Sequence, residues 1–196
     1  MSRDDDSLMF AFQKGETGAF TELVERYQDR LLRYFRHRGR SLQESEDDAQ
    51  EVWRKIFRSR SEYTAKALFS TYFYRIARNL LIDRLRSAAH KHPAISLDDG
   101  GAEDDGFERR AAAVDLLAAA GPDPSDEMSA GELRERIRAA IDQLPEAQRE
   151  AFMLSQFDGL PYEEIASVLG VPVGTVKSRM FNAVRRLREA LRTEVS

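Results

Sequence analysis

The sequence of 196 residues predicts an all-α protein, made of two small helical domains joined by a flexible acidic linker. Three observations support this prediction. Apolar residues recur at intervals of three and four through residues 1–92 and again through 130–196, which is the spacing of one helical face. No segment shows the convincing alternation of apolar and polar residues that marks a strand. Between these parts, residues 93–129 lose the periodicity and combine glycine, proline and acidic residues, a composition typical of a linker.

The N-terminal domain is expected to form a bundle of four helices. Their apolar stripes lie within residues 8–14, 20–35, 49–57 and 69–85. Gly15 ends the first helix and Gly39 ends the second, because glycine is a common helix stop. Ser41 and Glu44 have the spacing of a capping box, which predicts the start of the third helix close to Ser41.

The linker and the C-terminal domain follow from the same signals. Residues 109–120 could hold a transient helix, which Gly121-Pro-Asp-Pro would end. Helical periodicity resumes over the segments 133–144, 146–157, 162–169 and 174–191. Pro145 and Pro161 stand where a first helical turn tolerates proline, and Gly159 and Gly170 are expected to end helices.

The charge distribution indicates a nucleic-acid partner, although the net charge is −4. Residues 69–92 carry five Lys or Arg against one acidic residue, and residues 171–196 carry six against two. Residues 98–127 carry ten acidic residues against two arginines. Two basic patches therefore flank an acidic connector, and the mean charge hides them.

The composition also restricts the compartment. With no cysteine, the chain has neither a disulfide framework nor a cysteine nucleophile. No stretch approaches the length of apolar sequence that a membrane helix needs, and the acidic N-terminus lacks the pattern of a secretory signal. We therefore expect no membrane insertion, no export and a cytoplasmic protein.

The segment from Tyr162 to Leu191 has the pattern of a helix-turn-helix, with a tight Gly170-Val-Pro turn. In that motif the second helix enters the DNA major groove. Its predicted base-reading stripe is Thr175, Arg179, Asn182 and Arg186, whereas Lys177, Arg185 and Arg188 are better placed for phosphates. The alternative is an amphipathic helix whose basic face is only solvated.

Two further segments have alternative interpretations. The run from Phe69 to Arg86 mixes aromatic residues, arginines and Asn79, a mixture that suits single-stranded nucleic acid, but its aromatic residues could equally be core. Residues 43–51 carry five acidic residues ahead of Trp53. They are either ordinary helix-dipole stabilisation or a charged docking face around an apolar anchor, for a basic partner.

Motifs for catalysis are missing from the sequence. It has no glycine-rich phosphate loop, no dinucleotide fingerprint and no serine at a recognisable motif spacing from a histidine. His90 and His92 flank Lys91, which makes a poor metal site. We predict a non-enzyme with no catalytic residue, no metal and no cofactor.

The acidic run before Trp53, the aromatic and basic run, and the helix-turn-helix follow one another along the chain. In this order they resemble the motifs of the small extracytoplasmic-function (ECF) sigma factors of the sigma-70 superfamily. Residues 46–57 look like the region 2 helix that binds the β′ coiled coil of RNA polymerase. Residues 74–86 look like the part of region 2 that melts and reads the −10 element. Residues 158–179 look like the region 4 segment that reads the −35 element, and this match is the longest and most specific.

The resemblance implies a site residue set for each of these tasks. For the −35 element the set is Thr175, Lys177, Ser178, Arg179, Asn182, Arg185 and Arg186. For the −10 element it is Tyr72, Tyr74, Arg75, Arg78, Asn79, Asp83, Arg84 and Arg86. For polymerase binding it is Asp47, Asp48, Gln50, Glu51 and Trp53.

The implied function is promoter recognition as a dissociable subunit of RNA polymerase. The implied partners are core polymerase (β′ coiled coil and β flap), double-stranded and melted promoter DNA, and an anti-sigma factor. Tyr72 stands where the family often has tryptophan, and Pro161 where serine is common. Two rival functions are a response regulator with a helix-turn-helix output domain and a helical adaptor that binds RNA or acidic proteins. The all-helical N-terminal half argues against the first, which needs an α/β receiver.

Overall fold

The computed structural model describes residues 3–64, 67–91 and 130–193, and the chain divides into two compact units. The regular structure of the described residues is entirely helical, as the sequence predicts. The predicted linker 93–129, with its possible helix over 109–120, lies outside the described residues. None of the helices in the described ranges combines the length and the apolarity needed to cross a membrane.

The N-terminal unit contains four α-helices and one short 3₁₀ turn. These are α1 (Asp5–Gln13), α2 (Thr17–Arg36), α3 (Leu42–Arg58), the 3₁₀ turn (Arg60–Glu62) and α4 (Phe69–Lys91). Helix α2 packs against α1 and α3, and α3 packs against α4.

Local chemistry sets the starts and ends of these helices. Asp4 caps α1, since its carboxylate accepts a hydrogen bond from the Ser7 backbone N–H at 2.7 Å. The predicted capping box is confirmed: Ser41 and Glu44 each accept a bond from the other's backbone N–H. Gly39, just beyond α2, has a φ of 82°, a left-handed conformation that glycine adopts without strain.

Aromatic side chains fill the core of the N-terminal unit. Tyr27 of α2, Trp53 of α3 and Phe73 of α4 meet there, with ring centroids 4.8 Å apart for Tyr27–Phe73 and 5.4 Å apart for Trp53–Phe73. The indole Nε1 of Trp53 donates a 2.7 Å hydrogen bond to the Gln28 side chain, so its polar atom is satisfied inside the bundle.

The C-terminal unit contains the remaining helices: α5 (Ala130–Asp142), α6 (Glu146–Gln156), α7 (Tyr162–Leu169) and α8 (Val173–Thr193). Helix α8 packs against α5 and α6. Pro145 and Pro161 occupy the cap position just before α6 and α7, one residue earlier than the first-turn position we expected. The predicted stop at Gly170 is confirmed, with a φ of 70° at the end of α7.

Candidate nucleic-acid interface and docking face

Helix α8 is amphipathic, and its buried side fixes which residues face outward. Val176, Met180 and Leu187 are buried against the rest of the unit. Because successive residues are rotated by about 100°, the middle of the opposite side carries Ser178, Phe181 and Arg185. We name this outer side the α8 face. It includes the stripe and the basic residues on either side of it, which are Lys177, Arg179, Arg186 and Arg188.

The predicted −35 residues are spread across the α8 face rather than along its centre. Lys177, Arg185 and Arg186 are exposed, while Thr175, Ser178, Arg179 and Asn182 are partly buried. Thr175 and Arg179 lie along one edge of the face, next to the buried side. The base-reading stripe that the sequence suggested is therefore an edge of the α8 face. The centre of the α8 face lies about a quarter turn further around the helix.

Phe181 is a candidate contact that the sequence analysis missed. Its side chain is 70% exposed, the highest value among the exposed large apolar residues of the described chain. The sequence already contained the signal for an outward position. Phe181 is rotated about 100° around the helix axis from Met180 and lies five residues beyond Val176, so it does not share their buried side. An exposed phenylalanine on a basic face can contact a thymine methyl group in the major groove.

The electrostatics of the α8 face favour an anion. The helix carries six Lys or Arg and one acidic residue, Glu189. The Arg185 guanidinium lies 3.5 Å from the Asn182 side-chain oxygen, and the Ser178 hydroxyl donates to the Thr175 carbonyl at 3.0 Å. The surface offers hydrogen-bond donors, positive charge and one aromatic ring to a major groove.

Helix α4 presents a second face that mixes aromatic and basic residues. Tyr72, Arg75, Asn79, Asp83 and Arg86 follow one another at three or four residues and are exposed or partly buried, so they share one side of the helix. Arg78 is partly buried beside them. We name this set the α4 face. It has the components for holding unpaired bases: an aromatic ring, guanidinium groups and a side-chain amide.

Two predicted −10 residues do not belong to the α4 face. Tyr74 is only 1% exposed and packs against Tyr34 of α2 at 5.7 Å between ring centroids, so it is a core residue. Arg84 lies nine residues after Arg75, about 180° away around the helix axis. Its Nε donates a 3.0 Å bond to Asp48 of α3, which directs it away from this face.

The Tyr72 side chain is held at both its hydroxyl and its ring. The hydroxyl shares a 2.7 Å hydrogen bond with the Ser59 hydroxyl at the end of α3. The ring meets Tyr63 edge-on, with centroids 5.1 Å apart. The side chain that we expected to stack on DNA is therefore oriented by the connection between α3 and α4.

The outer side of α3 carries the acidic docking residues. Asp47 and Gln50 are exposed and Glu51 is partly buried. Arg54, which the sequence analysis did not consider, donates to Glu51 at 3.0 Å and to Gln50 at 3.1 Å. These four residues, at three- and four-residue spacing, form one polar side of the helix, which we name the α3 face.

Asp48 and Trp53 are not on the α3 face, in contrast to what we expected. Asp48 is 1% exposed, and its two carboxylate oxygens accept from the Nε atoms of Arg40 at 2.9 Å and Arg84 at 3.0 Å. A buried carboxylate requires such partners. Trp53 is 8% exposed and packs in the aromatic core, so its ring does not lie on this outer surface.

Metal binding finds no support in the part of the chain that is described. No group of three or more His, Cys, Asp or Glu side chains there could hold a metal ion.

The segments that carry the three faces match known family models. Residues 23–91 match the model of sigma-70 region 2, and residues 134–187 match the model of sigma-70 region 4. The chain belongs to the sigma-70 family. The α3 and α4 faces of this sigma factor lie within the region 2 match, and the α8 face lies almost wholly within the region 4 match.

Full-length relatives support the same assignment. The sigma factor is 35% identical to the RNA polymerase sigma-H factor of Pseudomonas aeruginosa over 95% of this chain and 93% of the relative. It is 35% identical to the ECF RNA polymerase sigma-E factor of Escherichia coli K12, over 97% and 94%. It is 34% identical to the ECF RNA polymerase sigma factor SigW of Bacillus subtilis, over 92% of each chain.

Solved structures share the fold. CnrH, in complex with the cytosolic domain of CnrY, matches with a TM-score of 0.67 and 23% identity, over 98% of this chain and 99% of that one. The sigma factor RpoE of Bartonella quintana, in complex with the anti-sigma factor NepR, matches with a TM-score of 0.62 and 18% identity, over 89% and 98%. The predicted all-α, two-domain fold is confirmed.

Proposed function

We propose that this sigma factor is a dissociable subunit that binds core RNA polymerase, recognises −35 and −10 promoter elements and promotes DNA melting. The observation that carries the proposal is that two surfaces suited to DNA, the α8 face and the α4 face, lie on separate units. The α8 face has the charge and groups for a duplex groove, and the α4 face has the aromatic and amide groups for unpaired bases. A single-purpose duplex binder has no use for the second surface.

We assign −35 recognition to the α8 face. Asn182, Arg179 and Arg186 can read base edges, since arginine pairs with guanine and asparagine with adenine. Lys177 and Arg185, which are exposed at the flank and the centre, can hold phosphates or bases. We add Phe181, whose exposed ring would gain apolar contact on binding. Ser178 and Thr175 complete the proposed set.

We assign −10 recognition and strand opening to the α4 face. Tyr72 offers a ring for stacking, and Asn79 an amide for the edge of a flipped base. Arg75, Arg78 and Arg86 would hold the strand backbone, with Asp83 beside them. Tyr74 and Arg84 stay outside the proposed contact set, because the first is core and the second is paired with Asp48.

We assign core-polymerase docking to the α3 face. Asp47, Gln50 and Glu51 offer acidic and amide groups to a basic partner, and Arg54 fixes the side chains of Gln50 and Glu51. Asp48 and Trp53 would support this surface from inside.

Four general features of the protein follow from the same proposal. The polymerase supplies the chemistry, so the chain itself is not an enzyme. It would act in the cytoplasm, where RNA polymerase is. An anti-sigma partner is proposed from the solved relative in which a sigma factor is bound to NepR. We also propose domain limits at residues 1–92 and 130–196, with 93–129 as the linker.

Transcription with purified components tests the function directly. Core polymerase, with and without the chain, is given fragmented genomic DNA, and the 5′ ends of the transcripts are sequenced. We expect new start sites, preceded by a shared pair of motifs near −10 and −35. A response regulator or an RNA-binding adaptor would leave the start sites of core polymerase unchanged, and that result would overturn the proposal.

A further inference from the structure

Helix α1 holds the connection between α3 and α4 through three of its side chains. Gln13 donates its amide to the carbonyls of Arg60 at 2.6 Å and Tyr63 at 2.8 Å. The Phe10 ring lies 5.5 Å from the Tyr63 ring. Asp6 makes the third contact. Helix α1 lies outside residues 23–91, the part that matches region 2.

Asp6 fixes the start of α4 directly. Its Oδ1 accepts a 2.7 Å hydrogen bond from the backbone N–H of Phe69, the first residue of α4. The same oxygen accepts from the Tyr63 hydroxyl. The first N–H groups of a helix have no partner within the helix, so a carboxylate in this position acts as a cap supplied from 63 residues away.

The contacts continue from Asp6 to the α4 face. Tyr63, whose hydroxyl Asp6 holds, packs edge-on against Tyr72 with centroids 5.1 Å apart. Tyr72 is also bonded to Ser59. Asn79 lies ten residues beyond Phe69, about 15 Å along the axis, so a tilt of about 5° at the start of α4 would move it by roughly 1 Å. Misplacement of that size is costly for an oriented contact.

We propose that Asp6 is a positioning residue for promoter opening: by capping α4 and holding Tyr63, it sets the placement of Tyr72 and Asn79 against the melted strand. The inference rests on the proposed function of the α4 face. Asp6 itself touches no DNA. Its loss should therefore impair opening of duplex DNA more than use of DNA that is already open.

Asp5 is a matched control on the same helix. It also accepts a hydrogen bond from a buried tyrosine, Tyr27, at 2.6 Å, and it pairs with Arg26 at 2.5 Å. Both of these partners lie on α2. Asp5→Ala therefore removes comparable bonds from the same unit and leaves the hold on Tyr63 and Phe69 in place.

The experiment uses holoenzyme assembled with the full chain and a promoter mapped by transcript 5′ ends. The rate of open-complex formation is measured on a duplex and on a template with a pre-melted −10 bubble, below the melting temperature of every variant. Asp6→Ala should slow opening of the duplex about tenfold and leave the bubble template within about twofold. Asp5→Ala should lower thermal stability but keep opening within about twofold of the parent.

Conservative variants separate positioning from general damage. Asp6→Asn keeps an acceptor oxygen and should restore most of the opening rate. If Asp6→Ala does not fold, Tyr63→Phe keeps the ring and loses only the hydroxyl, with its bonds to Asp6 and to the Ala67 carbonyl, and should show the same preference for the bubble template. Equal slowing by Asp5→Ala and Asp6→Ala, or equal slowing on both templates, would overturn the inference. Normal opening by Asn79→Ala would instead overturn the function proposed for the α4 face.

Discussion

The exposed ring of Phe181 allows its contribution to DNA binding to be separated from its contribution to folding stability. With the side chain 70% exposed, only about a third of its surface is buried in the free protein. Full burial of a phenylalanine side chain stabilises by about 1.5–3 kcal/mol, so Phe181→Ala should cost roughly 0.5–1 kcal/mol of folding stability. Thermal unfolding of the full chain measures this cost.

The remaining exposed surface is available to DNA. If the major groove covers most of it, the same area argument gives a loss of roughly 1–2 kcal/mol in −35 binding for Phe181→Ala. That corresponds to a rise in Kd of about 5- to 30-fold. The ring is uncharged, so the slope of log K against log salt should stay unchanged, whereas Lys177→Ala should lower it by about 0.9.

Fluorescence anisotropy with a mapped −35 duplex, over a series of salt concentrations, checks both statements. Phe157→Ala is the control, because Phe157 is 43% exposed and lies just beyond α6 in the same unit, outside helix α8. More than half of its surface is buried, so by the same argument it should lower stability by roughly 1–2 kcal/mol, at least as much as Phe181→Ala, and leave the Kd unchanged. A Phe181→Ala protein with parental affinity would refute the assignment of the ring to the DNA contact.

Further variants test the other surfaces. Arg179→Ala should cost about 1–3 kcal/mol and relax the base preference at one position of the −35 element; equal losses on all promoters would contradict base reading. Asn79→Ala should retain binding to core polymerase and impair opening of a duplex promoter, with partial rescue by a pre-melted template; failure on both would point to another role. Reversing Asp47 and Glu51 to lysine should abolish core binding, measured by co-migration with core polymerase, while −35 duplex binding persists. Burial and the hydrogen bond to Asp5 raise the pKa of Tyr27, so its contribution to stability should be complete below pH about 10 and decline as the pH rises further. Alkaline unfolding followed by tyrosinate absorbance checks this, and Tyr27→Phe should weaken the dependence.

Much of the architecture could be predicted from the sequence, because local rules govern it. The capping box at Ser41, the stop at Gly170 and the periodic stripes depend on residues within a few positions of one another. Such signals place the helices in the chain. They also predict the order of the two domains and the helix-turn-helix.

Whether a given residue is buried or exposed could not be predicted in several cases, because burial depends on contacts between segments that are distant in the sequence. Tyr74 reads as a candidate for stacking on DNA, and it is buried because Tyr34 of α2 packs against it. Asp48 stands in an acidic run that favours solvent, yet it is buried and paired with Arg40 and Arg84. Phe181 differs from these, since helical rotation from Met180 was enough to place it outward.

The three-residue cluster around Asp48 also constrains how this sequence can change over generations. A buried carboxylate with two arginines adds little net stability over an apolar replacement, but a buried carboxylate that has lost both arginines is an uncompensated charge. Loss of Asp48 would take the shared carboxylate from both guanidinium groups, whereas loss of Arg84, whose side chain is 47% exposed, still leaves Asp48 paired with Arg40. In descendants of this sigma factor the three positions should drift as a set, with Arg84 the first to vary.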